Sequence, residues 1–291
     1  MKSAVAAPFS LVGPTKLGLS YSSYVGPFLA DHPGEIDYVE VPFELVHYDR
    51  RPLGLPNEMP LLLHSSSLSL AGDVPPEAEI VDSVAAWVSK TGVPWLSEHM
   101  AFVTSGSSAG FDGSEVPLYD VGYSVNPPLN VETAHRVISA VDRYRRRLGV
   151  PLLLENPPIY FAPPGTTMTP TEFANLVCAA CPARLLVDLA HFYLSCRNLG
   201  LDPVSELLGL PLDRIDQLHI SGVSERDGAW WDDHTVRAPD EVHDLLSLVL
   251  RSTPVAAITL EYNWSGNFPI PALLGEIERV RGSLAVAGAA V

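Results

Sequence analysis

Six short apolar runs in this chain end in side chains that bind metals or move protons. Leu61-Leu62-Leu63 runs into His64, and Trp95-Leu96-Ser97 into Glu98 and His99. Pro151 to Leu154 ends in Glu155 and Asn156, and Leu185-Leu186-Val187 ends in Asp188, with His191 just beyond. Gln217-Leu218 leads to His219 and Ile258-Thr259-Leu260 to Glu261, while Asp232 and His234 follow in a loop. Several carboxylates gathered at one place repel each other strongly unless cations neutralise them. Nitrogen and oxygen donors without thiolates suit iron or manganese better than a structural zinc site. The candidates outnumber what one octahedral ion can hold, so two or more metals are expected, bridged by a carboxylate such as Glu155 or Asp188. Glu155, Asp188 and His191 carry the catalytic assignment as well as a ligating one.

Other chemistries find little support. The only lysines are Lys2, Lys16 and Lys90, none at the end of an apolar run, which disfavours a Schiff-base aldolase. No nucleophile elbow or phosphate-binding glycine motif stands at a strand–helix junction. Cys178 and Cys181 fall in a helical stretch without a second cysteine pair and read as core, while Cys196, eight residues after Asp188, is more ambiguous. His135 and His243 lie in predicted helices and His32 and His47 in predicted loops, so these four stay outside the site.

The elements that must position these residues alternate regularly. Strands are predicted at Lys16–Tyr21, Ile36–Phe43, Pro60–Ser65, Val93–Ser97, Pro151–Glu155, Arg184–Asp188, Ile215–Ser221 and Ala257–Tyr262. The second strand brings Glu40 and Glu44 to its end. Amphipathic spacing predicts helices at Pro75–Thr91, Glu132–Leu148 and Pro239–Arg251, with a closing helix from about Pro271. Thr169-Pro170-Thr171-Glu172 is a capping box that opens a helix through Cys181, and Asp202-Pro203 caps a shorter one. Eight strands alternating with helices and no linker-like break give an α/β fold, a single (β/α)8 TIM barrel over residues 1–291 with its core at about 16–281. In that fold polar residues at the C-terminal ends of the strands meet at one mouth. Two long connections, Ala101–Asn130 and Gly222–Ala238, leave strand ends that carry ligands. The Gly/Ser-rich part of the first, Val103–Gly113, is expected to be a lid that is mobile without substrate. Trp230 and Trp231 could line a groove at the mouth or pack on its rim.

Length and charge set outer bounds. The chain has 291 residues, 47% of them hydrophobic, enough for one large core. Its net charge of −16, from 18 basic and 34 acidic residues, disfavours a nucleic-acid substrate. No stretch reaches the length of a membrane span, and Met1 to Pro14 lacks a secretory pattern. Three cysteines do not suggest a disulfide framework, and a cytoplasmic location is expected.

In order, Leu63-His64, Ser97-Glu98-His99, Leu154-Glu155-Asn156-Pro157, Asp188 followed by Tyr193 and Asn198, His219-Ile220-Ser221-Gly222, Asp232-Asp233-His234 and Leu260-Glu261 resemble the multinuclear non-haem iron-dependent oxidative enzymes. The resemblance spans roughly Leu17 to Arg281. It implies a xylose-isomerase-like barrel with two or three irons and O2 as co-substrate. It further implies modification of a side chain, often Cys, in a ribosomally made precursor peptide, together with a partner protein that binds the peptide's leader. Departures occur where members often carry two Asn after the sixth-strand Asp, here Ala190-His191, and where a second His follows the seventh strand, here Val223. On the second strand a Glu-Val-His-x-Glu-Asn pattern is replaced by Glu40-Val41-Pro42-Phe43-Glu44-Leu45. The competing expectation is a redox-neutral sugar isomerase or epimerase using another divalent metal. A metal-dependent nuclease and a non-catalytic peptide scaffold follow behind it.

Overall fold

The computed structural model describes residues 13–49, 52–106, 119–263 and 269–288. Eight parallel strands close into a barrel: β1 (Lys16–Ser20), β2 (Tyr38–Pro42), β3 (Leu61–Ser65), β4 (Leu96–His99), β7 (Leu152–Glu155), β8 (Arg184–Asp188), β9 (Ile215–Ile220) and β12 (Ala257–Leu260). The barrel closes through β12, which pairs with both β9 and β1. Parallel neighbours need crossovers, and helices supply them. These are α1 (Val25–Asp31), α2 (Phe43–Tyr48), α3 (Ala78–Thr91), α4 (Val131–Leu148), α5 (Pro170–Ala180), α6 (Leu189–Leu199), α7 (Pro203–Gly209), α8 (Asp240–Ser252) and α9 (Ile270–Gly288). Gly149 closes α4 in the left-handed region at φ 71°, and Thr169 and Glu172 form the expected capping box on α5.

Alternation along each strand sorts side chains between the helices and the barrel interior. Tyr38, Leu62, Trp95, Leu153, Leu186 and Ala257 form a separate buried cluster, the floor of the interior. Two residues further along the chain from each of these come Glu40, His64, Ser97, Glu155, Asp188 and Thr259, all buried. The floor is tight: a Cβ on Gly18 of β1 would stand 2.4 Å from the Tyr38 ring, so only glycine fits there.

Three sequence expectations need correcting. Residues 101–130 are not one long loop, because β5 (Phe102–Ser105) and β6 (Tyr119–Val125) pair antiparallel within them. Val103–Ser105 of the proposed lid belongs to β5, and residues 107–113 of it lie outside the described residues. The connection at 222–238 is likewise a hairpin, β10 (Val223–Arg226) with β11 (Ala229–Asp232). His47 sits in α2 rather than in a loop, and α6, whose first eight residues are all buried, has no polar stripe by which periodicity would mark it.

Candidate metal centre

At the C-terminal mouth, nine of the predicted residues fall into three groups of potential ligand atoms, each group within 4.8 Å. The first is His64, His99 and Glu155, the second Glu155, Asp188, His219 and Glu261, and the third His191, Asp232 and His234. Glu155 belongs to two of them and is fully buried. Its Oε2 lies 3.2 Å from both His64 Nε2 and His99 Nδ1, and its Oε1 lies 3.5 Å from His191 Nδ1 and 3.6 Å from His219 Nδ1. His219 Nδ1 also stands 3.1 Å from Glu261 Oε2 and 3.9 Å from Asp188 Oδ2. In the third group, Asp232 offers one oxygen at 3.1 Å to His234 Nε2 and the other at 3.5 Å to His191 Nε2.

Local structure explains how each side chain arrives there. His64, last but one in β3, and Glu155, last in β7, have the parity of the floor residues, and His99 stands two beyond Ser97 on β4. Ser97 Oγ lies 2.9 Å from His64 Nδ1 and donates to Leu63 O, which leaves Nε2 facing the mouth. Asp188 is the N-cap of α6 and accepts from His191 N at 2.7 Å, so one short turn aims both residues at the site. The β10–β11 hairpin carries Asp232 inward. Asn198 of α6 clamps it by accepting from Trp230 N and donating to Trp230 O, both at 2.8 Å.

Two predicted residues stand outside the three groups. Glu98 has the opposite parity to Ser97 and His99, and its Oε2 accepts from Leu68 N at 3.1 Å. Burial, joined by the nearby Glu44 charge, pushes Glu98 well above the ordinary carboxylate range. The Asn156 side chain bonds the Asp188 backbone in both directions, each at 3.0 Å, and so ties the tips of β7 and β8. Sequence reasoning left out Glu40, which is buried at 1% exposure with its Oε1 2.8 Å from His219 Nε2. Its signal was parity: it lies two residues after Tyr38 on β2.

Charge and burial are in tension here. Burial drives Glu155 up to about 7, despite the opposing pull of His64, His219 and His191. Burial, with His64 and His191 nearby, holds His99 well below the usual histidine range. Burial would also lower His191 and His219, but carboxylates outweigh it. Asp188 and Asp232 hold His191 well up, and Glu40 and Glu261 do the same for His219. Among the described residues, both Glu155 oxygens, Asp188 Oδ2, His99 Nδ1, His219 Nδ1, Asp232 Oδ1 and His234 Nε2 are buried without a hydrogen bond. Buried polar atoms are normally satisfied, and a convergent set of orphaned nitrogen and oxygen lone pairs is what metal ions would complete. The cysteines take no part, since Cys178, Cys181 and Cys196 are buried and unpaired elsewhere.

Comparison with known proteins gives the chain relatives in sequence and in fold. A UPF0276 protein of Streptomyces avermitilis is 30% identical over 94% of this chain, and the chain spans only 55% of that relative's length. A UPF0276 protein of Shewanella loihica is 28% identical over 88% of this chain and 89% of its own. Among solved structures, a D-tagatose 3-epimerase-like protein matches with a TM-score of 0.57 at 14% identity, covering 94% of this chain and 98% of the other. Endonuclease IV from Thermus thermophilus matches at 0.54 and 17%, covering 93% and 99%. At such identities these two speak for the fold alone, a closed eight-stranded TIM barrel. The family model described as "RiPP precursor modification enzyme MbnB/TglH/ChrH" matches residues 16–285, and the chain belongs to that family.

Proposed function

We propose that this chain is a multinuclear iron enzyme that uses O2 to oxidise a side chain, that of a Cys, in a ribosomally synthesised precursor peptide. The observation that carries the reading is the set of three nitrogen and oxygen ligand groups side by side at one mouth, two of them joined through Glu155. His64, His99, Glu155, Asp188, His219 and Glu261 would hold two ions, and His191, Asp232 and His234 a third. Iron bound there would supply redox chemistry, passing electrons from the peptide side chain to O2. The protein's own part is to fix the donors on rigid strand ends, keep Glu155 and Asp188 away from bulk water, and leave the mouth open on one side.

Peptide access is supported by the rim. Trp231 is 43% exposed next to Asp232 and stacks on Tyr160 with ring centroids 4.8 Å apart, whereas Trp230 packs edge-on against Tyr193. An aromatic face beside the ligands suits a chain laid across the mouth. A partner that binds the leader and a cytoplasmic setting, where buried unpaired cysteines stay reduced, belong to the same proposal. The epimerase likeness adds no support for sugar chemistry, because it is a likeness of fold.

The test incubates iron-loaded protein with a Cys-containing peptide encoded beside it, with and without the partner and with and without O2. Oxygen uptake coupled to a mass change on the peptide is expected. Equal turnover of a sugar phosphate under strict anaerobiosis would overturn the reading in favour of an isomerase.

A further inference from the structure

Beneath the ligand groups lies a chain of hydrogen bonds with a single direction. Trp95 Nε1 donates to Gln217 Oε1 at 2.8 Å, and Gln217 Nε2 donates to Glu40 Oε2 and to Thr259 Oγ1. Thr259 Oγ1 donates to the same Glu40 oxygen at 3.1 Å and lies 2.8 Å from Tyr38 OH. With the Thr259 proton committed to Glu40, the Tyr38 hydroxyl must be the donor in that pair. Every proton of this network therefore points toward one carboxylate, which leaves Glu40 an acceptor only. Its second oxygen, Oε1, is buried with no hydrogen bond of its own in this arrangement and forms a close pair with His219 Nε2 at 2.8 Å, the contact a proton on that nitrogen would complete. Gln217 Nε2 stands 3.3 Å from the same ring nitrogen, but its two hydrogens are already placed on Glu40 and Thr259.

We propose that Glu40, held from below by Gln217 and Thr259, is the positioning residue of the second ligand group. It fixes the proton of His219 on Nε2 and thereby makes Nδ1 the metal-binding atom. The proposal rests on the metal reading above and adds to it which atom binds and what aims it. A carboxylate on the far nitrogen of a metal-binding imidazole fixes the ring's orientation and raises its basicity, and loss of such a partner typically costs about 10–100-fold in affinity. Glu40, His219, Gln217 and Thr259 are all essentially inaccessible to solvent, so no water competes for these positions. His219 lies on β9 and Glu40 on β2, strands that do not pair with each other. The contact thus crosses the barrel interior, and the floor residues set its length.

The first experiment needs no variant. Long-range 1H–15N spectra of histidine-labelled wild-type protein are recorded before and after loading with Zn2+, with His219 assigned through the backbone. The expected result is a protonated Nε2 in the loaded protein and a metal-shifted Nδ1. A metal-shifted Nε2, or a proton retained on Nδ1, would overturn the proposal. The second is a Co2+ titration of Glu40→Gln, with folding checked by the melting temperature of the metal-free protein. Affinity should fall about 10–100-fold for the ion held by Glu155, Asp188, His219 and Glu261. The ion held by His191, Asp232 and His234 should bind as in wild type. Equal affinity of wild type and Glu40→Gln at every ion would sink the positioning role. A wild-type protein that takes up no metal would instead sink the functional reading on which the proposal stands.

Discussion

At the scale of single residues, pleat parity separates ligands from neighbours of the same chemical type. Glu98 and His99 are adjacent in sequence, yet only His99 reaches the mouth, because successive strand residues face opposite ways. Glu98→Gln should therefore leave metal content unchanged. Glu155→Ala should empty the two groups that share it, a larger loss than the roughly 10–100-fold expected for an outer partner. Elemental analysis of the two purified variants decides the matter. Another buried carboxylate, Glu276 of α9, accepts from His243 Nε2 and Tyr262 OH at 3.0 Å and from Arg237 Nε at 2.7 Å. Burial opposes its ionisation, but the bonds from His243 and Arg237 prevail and hold it below the ordinary carboxylate range. A carboxylate depressed in the folded state stabilises the fold above its unfolded pKa of about 4.3, and that contribution is lost as pH falls through the depressed value. Glu276→Gln should cost about 1–3 kcal/mol at pH 7, with the gap from wild type shrinking toward pH 3 in urea titrations. His243→Ala should weaken the same network without touching the metal ligands.

At the scale of elements, the hairpin β10–β11 is the device that brings the third ligand group to the barrel. Its base is packed without slack, since a Cβ on Gly222 would meet Val236 O at 2.1 Å and Asp233 O at 2.7 Å. Gly222→Ala should displace the 233–236 turn, weaken ion binding at His191, Asp232 and His234, and destabilise the fold by roughly 1–3 kcal/mol. Metal stoichiometry and a melting curve measured together check both effects. The barrel itself was legible, because parallel strands buried on both faces leave short apolar runs that end in polar tips, as Leu152 to Glu155 does. The hairpins were hidden: Val223–Arg226 and Ala229–Asp232 are four-residue strands with no clean alternation between exposed and buried positions. Helix α6 was hidden for the opposite reason, being buried on all sides around His191. Glu40 was placed at the end of the second strand but not in the site, because only the two-residue step from Tyr38 shows that it faces the interior in the layer of His64 and Glu155.

At the scale of the whole molecule, a chain of net charge −16 concentrates carboxylates and imidazoles in a buried mouth. Neutralising that mouth with cations that the unfolded chain cannot hold should stabilise the fold. Free metal at about 100 times its dissociation constant adds about 2.7 kcal/mol. In a chain of this size that corresponds to a rise of several degrees in melting temperature, reversed by a chelator. Among the described residues no helix is long and apolar enough to cross a membrane. The central claim, a site built for more than one metal ion, is tested most directly by counting the ions. Metal-free protein would be reconstituted anaerobically with excess Fe2+, desalted, and analysed for iron and zinc per chain. At least two irons per chain are predicted, with His64, Glu155, Asp188, His219 and Glu261 among the ligands. One zinc per chain and no iron would contradict it.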